Sequence, residues 1–191
     1  MRTLVVTENI TLDGVIDATG GWFDPVGAGP DVDASDLIEA VAEHMRAADA
    51  FLVGRVTFEQ MRGYWPARSE DTTGVSAYLD QVRKYVVSRS LTEAGWEPTT
   101  ILRGPLRDDI AALKAEPGRD IVVTGSIDLV RQLVAEDLVD EYRLFVHPSV
   151  VGRGARLFPD GVERPRMRLL ESRAFRSGVV LLRYSAARRP G

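Results

Sequence analysis

Three short segments of the chain carry the residue types that hold phosphate groups: Gly54-Arg55-Val56-Thr57, Ser88-Arg89-Ser90 and Thr124-Gly125-Ser126. Each follows directly on an apolar run, namely Ala50-Phe51-Leu52-Val53, Tyr85-Val86-Val87 and Ile121-Val122-Val123. Such short continuous runs are predicted strands buried on both faces. A strand end that leads into a helix offers unpaired backbone N–H groups and the positive end of the helix dipole, which favour an anion. Glycine lets a phosphate approach the backbone, and arginine adds a fixed charge with a planar donor fork. Taken singly, each segment has a plainer reading: a glycine after a strand is turn geometry, and a surface arginine is solvated. None of them matches the Gly-x-Gly-x-x-Gly fingerprint or a Walker loop. Together they are the strand ends at which open α/β sheets bind their ligands, and three of them suit an extended molecule with several phosphates.

Other candidates are sparser. Asp13, in Thr11-Leu12-Asp13-Gly14, is either a turn residue, which spacing alone favours, or a carboxylate facing the same cleft. Trp22 and Trp65 lie in loops where a ligand cleft would open, although core packing is the default for tryptophan. His44 is predicted to be an exposed helix residue, and His147, which precedes Pro148, a structural one. Two histidines so placed, with no cysteine, give little support to a metal site or a Ser-His-Asp triad.

The 191 residues lead us to expect a single domain spanning 1–191. A charged fraction of 27% beside a hydrophobic fraction of 45% excludes a disordered chain. The net charge of −4 argues against a general nucleic-acid binder, which needs a field that attracts phosphates. The absence of cysteine removes disulfides and thiolate chemistry. No apolar run is long enough for a bilayer, and the N-terminus does not read as a signal peptide, so a cytoplasmic protein without membrane contact is expected.

The elements that must position these residues follow from hydrophobic spacing. Leu4-Val5-Val6 opens a strand that runs towards Ile10 and Leu12. Residues 17 to 35, with Gly20-Gly21, Pro25, Gly27, Gly29 and Pro30, form a long loop, and Ser35 is positioned to cap the helix after it. That helix carries Leu37, Ile38, Val41, Met45 and Ala48 on one face. Helices are also predicted over 56–61, 75–82 and 106–114 and from Ile127 to Leu138, with a weak strand at 99–102 and another at 141–146. Residues 166–172 and 179–185 read as a closing antiparallel pair, and Arg188-Arg189-Pro190-Gly191 as a solvated tail. Strands alternating with helices predict an α/β fold with a mostly parallel central sheet covered on both faces and an antiparallel C-terminal edge.

In order and spacing, Thr11-Leu12-Asp13-Gly14, Phe51-Leu52-Val53-Gly54-Arg55-Val56-Thr57-Phe58-Glu59, Gly63-Tyr64-Trp65-Pro66, Lys84-Tyr85-Val86-Val87-Ser88-Arg89-Ser90-Leu91, Thr124-Gly125-Ser126-Ile127-Asp128-Leu129-Val130, Leu138-Val139-Asp140-Glu141-Tyr142-Arg143-Leu144 and Pro148-Ser149-Val150-Val151-Gly152-Arg153-Gly154-Ala155-Arg156-Leu157-Phe158 resemble the dihydrofolate reductase-like superfamily. Within it the set is similar to the stand-alone relatives of the riboflavin-pathway reductase domain, the C-terminal part of bifunctional deaminase–reductases. The resemblance implies a three-layer α/β/α fold, a homodimer and an NADPH-dependent reductase of a small heterocycle, with 5-amino-6-(5-phosphoribosylamino)uracil as one candidate. It places Gly54, Arg55 and Thr57 on the cofactor pyrophosphate, Ser88 and Arg89 at the adenosine end, and Gly125, Ser126 and Ile127 in a second phosphate turn, with Arg55 or Arg89 meeting the 2′-phosphate. Asp13 would orient substrate or help deliver a proton, in a motif where Thr11 stands for the usual Ser. Arg153 belongs to a basic turn suited to a substrate phosphate. The pterin-contacting acid of true dihydrofolate reductases has no matching motif, although Asp36 and Glu39 lie on the corresponding helix. The alternatives are a reductase of the same fold with another substrate, or a non-catalytic NADPH- or ligand-binding module.

Overall fold

The apolar runs become the middle of an eight-stranded sheet in the computed structural model, which describes residues 1–23, 32–68, 71–163 and 166–186. The strands are β1 (Leu4–Thr11), β2 (Ala48–Gly54), β3 (Arg83–Val87), β4 (Thr99–Leu102), β5 (Asp120–Val123), β6 (Glu141–His147), β7 (Arg168–Ala174) and β8 (Val180–Ser185). The helices are α1 (Ser35–Ala47), α2 (Arg55–Tyr64), α3 (Val75–Gln81), α4 (Leu106–Ala115) and α5 (Ile127–Ala135), with one 3-10 turn at Ala18–Gly20.

The strands lie in the order β4-β3-β2-β5-β1-β6-β8-β7. Every pairing from β4 to β6 is parallel, while β8 runs antiparallel to both β6 and β7. The predicted mostly parallel sheet with an antiparallel edge is therefore the fold of the chain. Parallel strands need crossovers that cover the sheet, which is why the central strands are continuously apolar. Alternate residues of one strand serve opposite faces. On one face Leu4, Val6, Leu52, Ile121 and Val123 pack against Ile110 and Leu113 of α4 and Leu129, Val130, Leu133 and Val134 of α5.

The other face has two separate clusters. Phe51, Val53 and Val86 pack with Phe58 of α2 and Leu79 of α3, and Ala40 of α1 packs with Phe145, Phe175, Val179 and Leu181. The space between these clusters is where the fold leaves room for a ligand. Below it the charges are internally compensated: Arg143 is ion-paired to Asp120 and Glu141, each at 2.7 Å, and Arg183 to Glu141 at 2.8 Å.

Four expectations are corrected. Ala48 opens β2 rather than lying on α1, and Leu138 lies beyond α5, which ends at Ala135. Ser35 is the first residue of α1 rather than its cap, because Asp33 stands two residues earlier and its Oδ1 accepts from both the N–H and the hydroxyl of Ser35. His44 is half-buried, since α1 turns it onto the sheet, where its ring lies 5.7 Å from that of Phe145. Pro25, Gly27, Gly29 and Pro30 of the long loop and the tail Arg188–Gly191 lie outside the described residues.

Candidate functional site

Parallel pairing gathers the three phosphate-type segments on one sheet edge. Gly54 is in register with Val87, and Leu52 with Val123, so Gly54, Ser88 and Thr124 leave the sheet side by side. α2 and α5 both start at this edge, and neither has a side-chain cap. An uncapped first turn leaves backbone N–H groups available to an anion, as at Arg55–Thr57, whereas the Ser126 and Ile127 N–H groups donate to the Thr124 and Gly125 carbonyls at 2.8 and 2.9 Å. The two starts are tied together: Ser126 Oγ accepts from the Gly54 N–H at 3.0 Å. Gly125 takes a left-handed φ of +68°, and a Cβ there would stand 3.6 Å from Thr57 Cγ2, so the Gly125 turn rests against the first turn of α2. The Gly125 N–H points back into the sheet and donates to Glu8 Oε1 at 2.9 Å.

The expected cofactor residues divide by role. Arg55 and Arg89 are exposed, Arg55 being paired with Glu59 at 2.7 Å. Ser88 is buried, and its Oγ accepts from the N–H groups of Ser90 and Leu91, which closes the turn beneath Arg89. Ile127 opens α5.

The gap between the two clusters on the α1 face is a cavity of about 720 Å³. It reaches the same edge through Thr124, the residue before Gly125. Its floor is sheet, including Thr7, Asn9, Phe51, Phe145 and His147, and its walls come from α1, α2, α3 and the Trp22–Phe23 segment. His147 Nε2 and Asn9 Oδ1 are hydrogen-bonded at 2.9 Å across β1 and β6. The rings of Trp22 and Phe23 stand edge-on to His147 at 5.4 and 5.5 Å. Burial holds the His147 imidazole below its ordinary pKa. His44 is pushed down to about 4, first by burial and then by the charges of Arg143 and Arg183.

Of the expected site residues, Trp22 and Trp65 line this cavity. Trp22 is fixed by its Nε1 donating to the Asp17 carbonyl at 2.7 Å, and Trp65 by an edge contact with Tyr64 at 5.1 Å. Asp13 is not part of the cavity lining. Its carboxylate accepts from Thr11 Oγ1 at 2.6 Å and from the N–H groups of Gly152 at 2.8 Å and Val151 at 3.3 Å. Those bonds, led by Thr11, hold its pKa below the usual carboxylate range. Arg153 is exposed on the neighbouring loop and is likewise absent from the lining.

Sequence reasoning missed Glu8, Asn9, Thr7 and His44. The signal was present in Thr7-Glu8-Asn9, three polar residues inside a strand that must be covered on both faces. Among the described residues, no group of three or more His, Asp or Glu is placed to hold a metal, and no helix is long and apolar enough to cross a membrane.

The eight-stranded, mostly parallel sheet with its antiparallel edge is a dihydrofolate reductase-like α/β fold. The chain belongs to the RibD C-terminal domain family, whose profile matches residues 2–181. It is 30% identical over 185 residues to YyaP of Bacillus subtilis (strain 168), covering 96% of this chain and 94% of that one. A protein assigned to riboflavin biosynthesis in Shewanella sp. PV-4 superposes with a TM-score of 0.71 at 22% identity, covering 98% of this chain and all of that one. The deaminase/5-amino-6-(5-phosphoribosylamino)uracil reductase of Thermotoga maritima superposes with a TM-score of 0.65 at 15% identity, and the match covers 97% of this chain but 57% of that longer one.

Glu8 is the most perturbed acid beside the phosphate-type turns. Burial pushes its pKa from 4.5 up to about 8, and the Gly125 N–H offsets only part of that rise. The folded chain therefore holds a proton that the unfolded chain releases, across the range from about 4.5 to about 8. The stability this group contributes is complete below pH 4.5 and is lost as pH rises towards 8. Glu8→Gln keeps an acceptor for Gly125 and removes the titration. Melting temperatures followed from pH 5 to pH 9 are expected to fall more steeply for the native protein than for the Gln variant, and parallel curves would contradict the protonated state.

Proposed function

We propose that this protein is an NADPH-dependent reductase of a small heterocyclic substrate, with the dinucleotide along the α2–α5 edge and the substrate in the adjoining cavity. One observation carries the reading: two uncapped helix starts, locked by the Gly54–Ser126 hydrogen bond, lie beside exposed Arg55 on an edge that opens into the cavity at Thr124. The donor set fits a doubly phosphorylated cofactor. Backbone N–H groups at Arg55–Thr57 would hold the pyrophosphate, the compact Gly125–Ile127 turn, whose Ser126 and Ile127 N–H groups donate to the Thr124 and Gly125 carbonyls, would admit it close to the chain, and Arg89 beyond the Ser88 turn would meet the adenosine 2′-phosphate. When bound, NADPH supplies a hydride, and the protein contributes orientation and electrostatics. Trp22, Phe23 and Trp65 would exclude water from the cavity and hold a flat substrate.

In this reading Asp13 is a positioning residue. An ionised carboxylate that already accepts three hydrogen bonds is a poor proton donor. It ties the Thr11 turn to the 151–152 loop, next to the cavity residues Pro148 and Ser149. Membership of the family supports the reductase class, and the riboflavin intermediate and other heterocycles are the competing substrates. We assign the active form to a cytoplasmic homodimer, with exposed Leu169 and Leu170 on the edge strand β7 as the apolar surface available for pairing.

Two measurements check this reading. Replacing both Arg55 and Arg89 by Ala is expected to weaken NADPH at least tenfold while changing NADH by less than threefold, read by calorimetric titration. Equal losses would remove these residues from the 2′-phosphate. Asp13→Asn is expected to lower turnover with NADPH affinity within twofold and with the pH profile of kcat unmoved. Loss of one limb of that profile would make Asp13 the proton donor instead.

A further inference from the structure

Among the described residues, the wall of the cavity carries no formal charge. No Lys, Arg, Asp or Glu is among the residues that line it. Its three titratable groups are neutral near pH 7: His44 is pushed down to about 4, His147 is held below its ordinary value, and burial lifts the Tyr78 phenol to about 12. Two arginines next to the wall are already ion-paired. Arg176, beside the lining residue Ser177, pairs with Asp33 at 2.7 Å and Asp36 at 3.4 Å. Arg143 is held by Asp120 and Glu141 through Nη2 and Nε, while its Nη1 is buried without a partner. Glu39 is exposed. Residues 24–31 contain no Lys or Arg in their sequence.

What the wall does offer is aromatic surface and a few neutral polar groups. Trp22, Phe23, Phe51, Trp65 and Phe145 supply flat rings. Asn9, with its carbonyl oxygen engaged by His147, presents its amide NH₂ with no protein partner among the described residues. Thr7 Oγ1 and His44 Nδ1, both on lining residues, are buried without a hydrogen-bond partner. A cavity of about 720 Å³ lies in the range that takes a compact organic molecule of two or three fused rings.

We propose that the cavity accepts an uncharged, non-phosphorylated aromatic heterocycle, seated between the rings of Trp22, Phe145 and Trp65 with its polar edge towards Asn9. This deepens the reductase reading of the same site, on which it rests, and narrows its substrate class. A phosphate moved into this cavity would lose its hydration and meet no cation on the lining, the neighbouring Arg143 guanidinium being already neutralised by Asp120 and Glu141, an arrangement that strongly opposes binding. A carboxylate ligand meets the same penalty. A neutral bicycle gains stacking area and finds donors and acceptors that otherwise have no partner.

The test is calorimetric titration of the full-length protein at pH 7 with lumazine and with a matched pair: 5-amino-6-(5-phosphoribosylamino)uracil and its dephosphorylated nucleoside. Quenching of tryptophan fluorescence is recorded in parallel. Lumazine is expected to bind and quench, and the nucleoside to bind at least tenfold more tightly than its phosphate. Asn9→Leu is expected to weaken lumazine at least fivefold without altering the far-ultraviolet circular dichroism. Equal or tighter binding of the phosphate, or no binding of either neutral probe at 1 mM, would overturn the proposal. A separate titration with NADPH keeps the two readings apart. Absence of NADPH binding overturns the reductase reading, whereas NADPH binding together with a preference for the phosphate overturns only the substrate class.

Discussion

Two hydrogen bonds hold together the edge on which everything else rests. Ser126 takes the N–H of Gly54, and Glu8 takes the N–H of Gly125. The first ties the start of α5 to the start of α2 across the tips of β5 and β2. The second turns the Gly125 peptide inwards and fixes the left-handed bend that brings the chain round to α5. Both depend on the parallel order of β3, β2, β5 and β1, which places successive strand ends at the same side of the sheet. This geometry brings the starts of α2 and α5 to one edge without a glycine-rich fingerprint. The burial that keeps Glu8 protonated to about pH 8 also keeps a negative charge from standing directly beneath the turn.

The two faces of the sheet are used differently. α4 and α5 close one face with a continuous apolar core. α1 to α3 cover the other incompletely, as two clusters with a cavity between them. The rigid face positions the strand ends, and the incomplete one supplies a site lined by aromatic rings and uncharged polar groups. Asp13 links these parts from outside the cavity, by joining the turn after β1 to the loop after β6. Its carboxylate accepts from Thr11, Val151 and Gly152, which holds the turn and the loop together.

Much of the architecture was legible in the sequence because the signals were local. Ile121-Val122-Val123 and Phe51-Leu52-Val53 could only be doubly buried strands, and the glycine and hydroxyl residues after them marked one edge once the strands were parallel. The cavity was less legible, because it is a property of faces that meet from distant parts of the chain. His44 reads as an exposed position by its charged neighbours, yet the helix phase carries it onto Phe145. Ser35 reads as a cap, yet Asp33 outcompetes it with a better placed acceptor. Glu8 and Asn9 sat in plain view inside a strand, but their polarity became informative only when β1 was seen to be central, with β5 and β6 on either side.

In the proposed reductase, the paired helix starts at Gly54 and Ser126 receive the phosphates of a dinucleotide. Backbone amide resonances followed by two-dimensional ¹H–¹⁵N NMR during addition of NADPH test it most directly. The expected result is saturable movement of the Arg55, Val56, Gly125, Ser126 and Ile127 amides together. Saturable shifts confined to other parts of the chain, with these five unmoved, would contradict it.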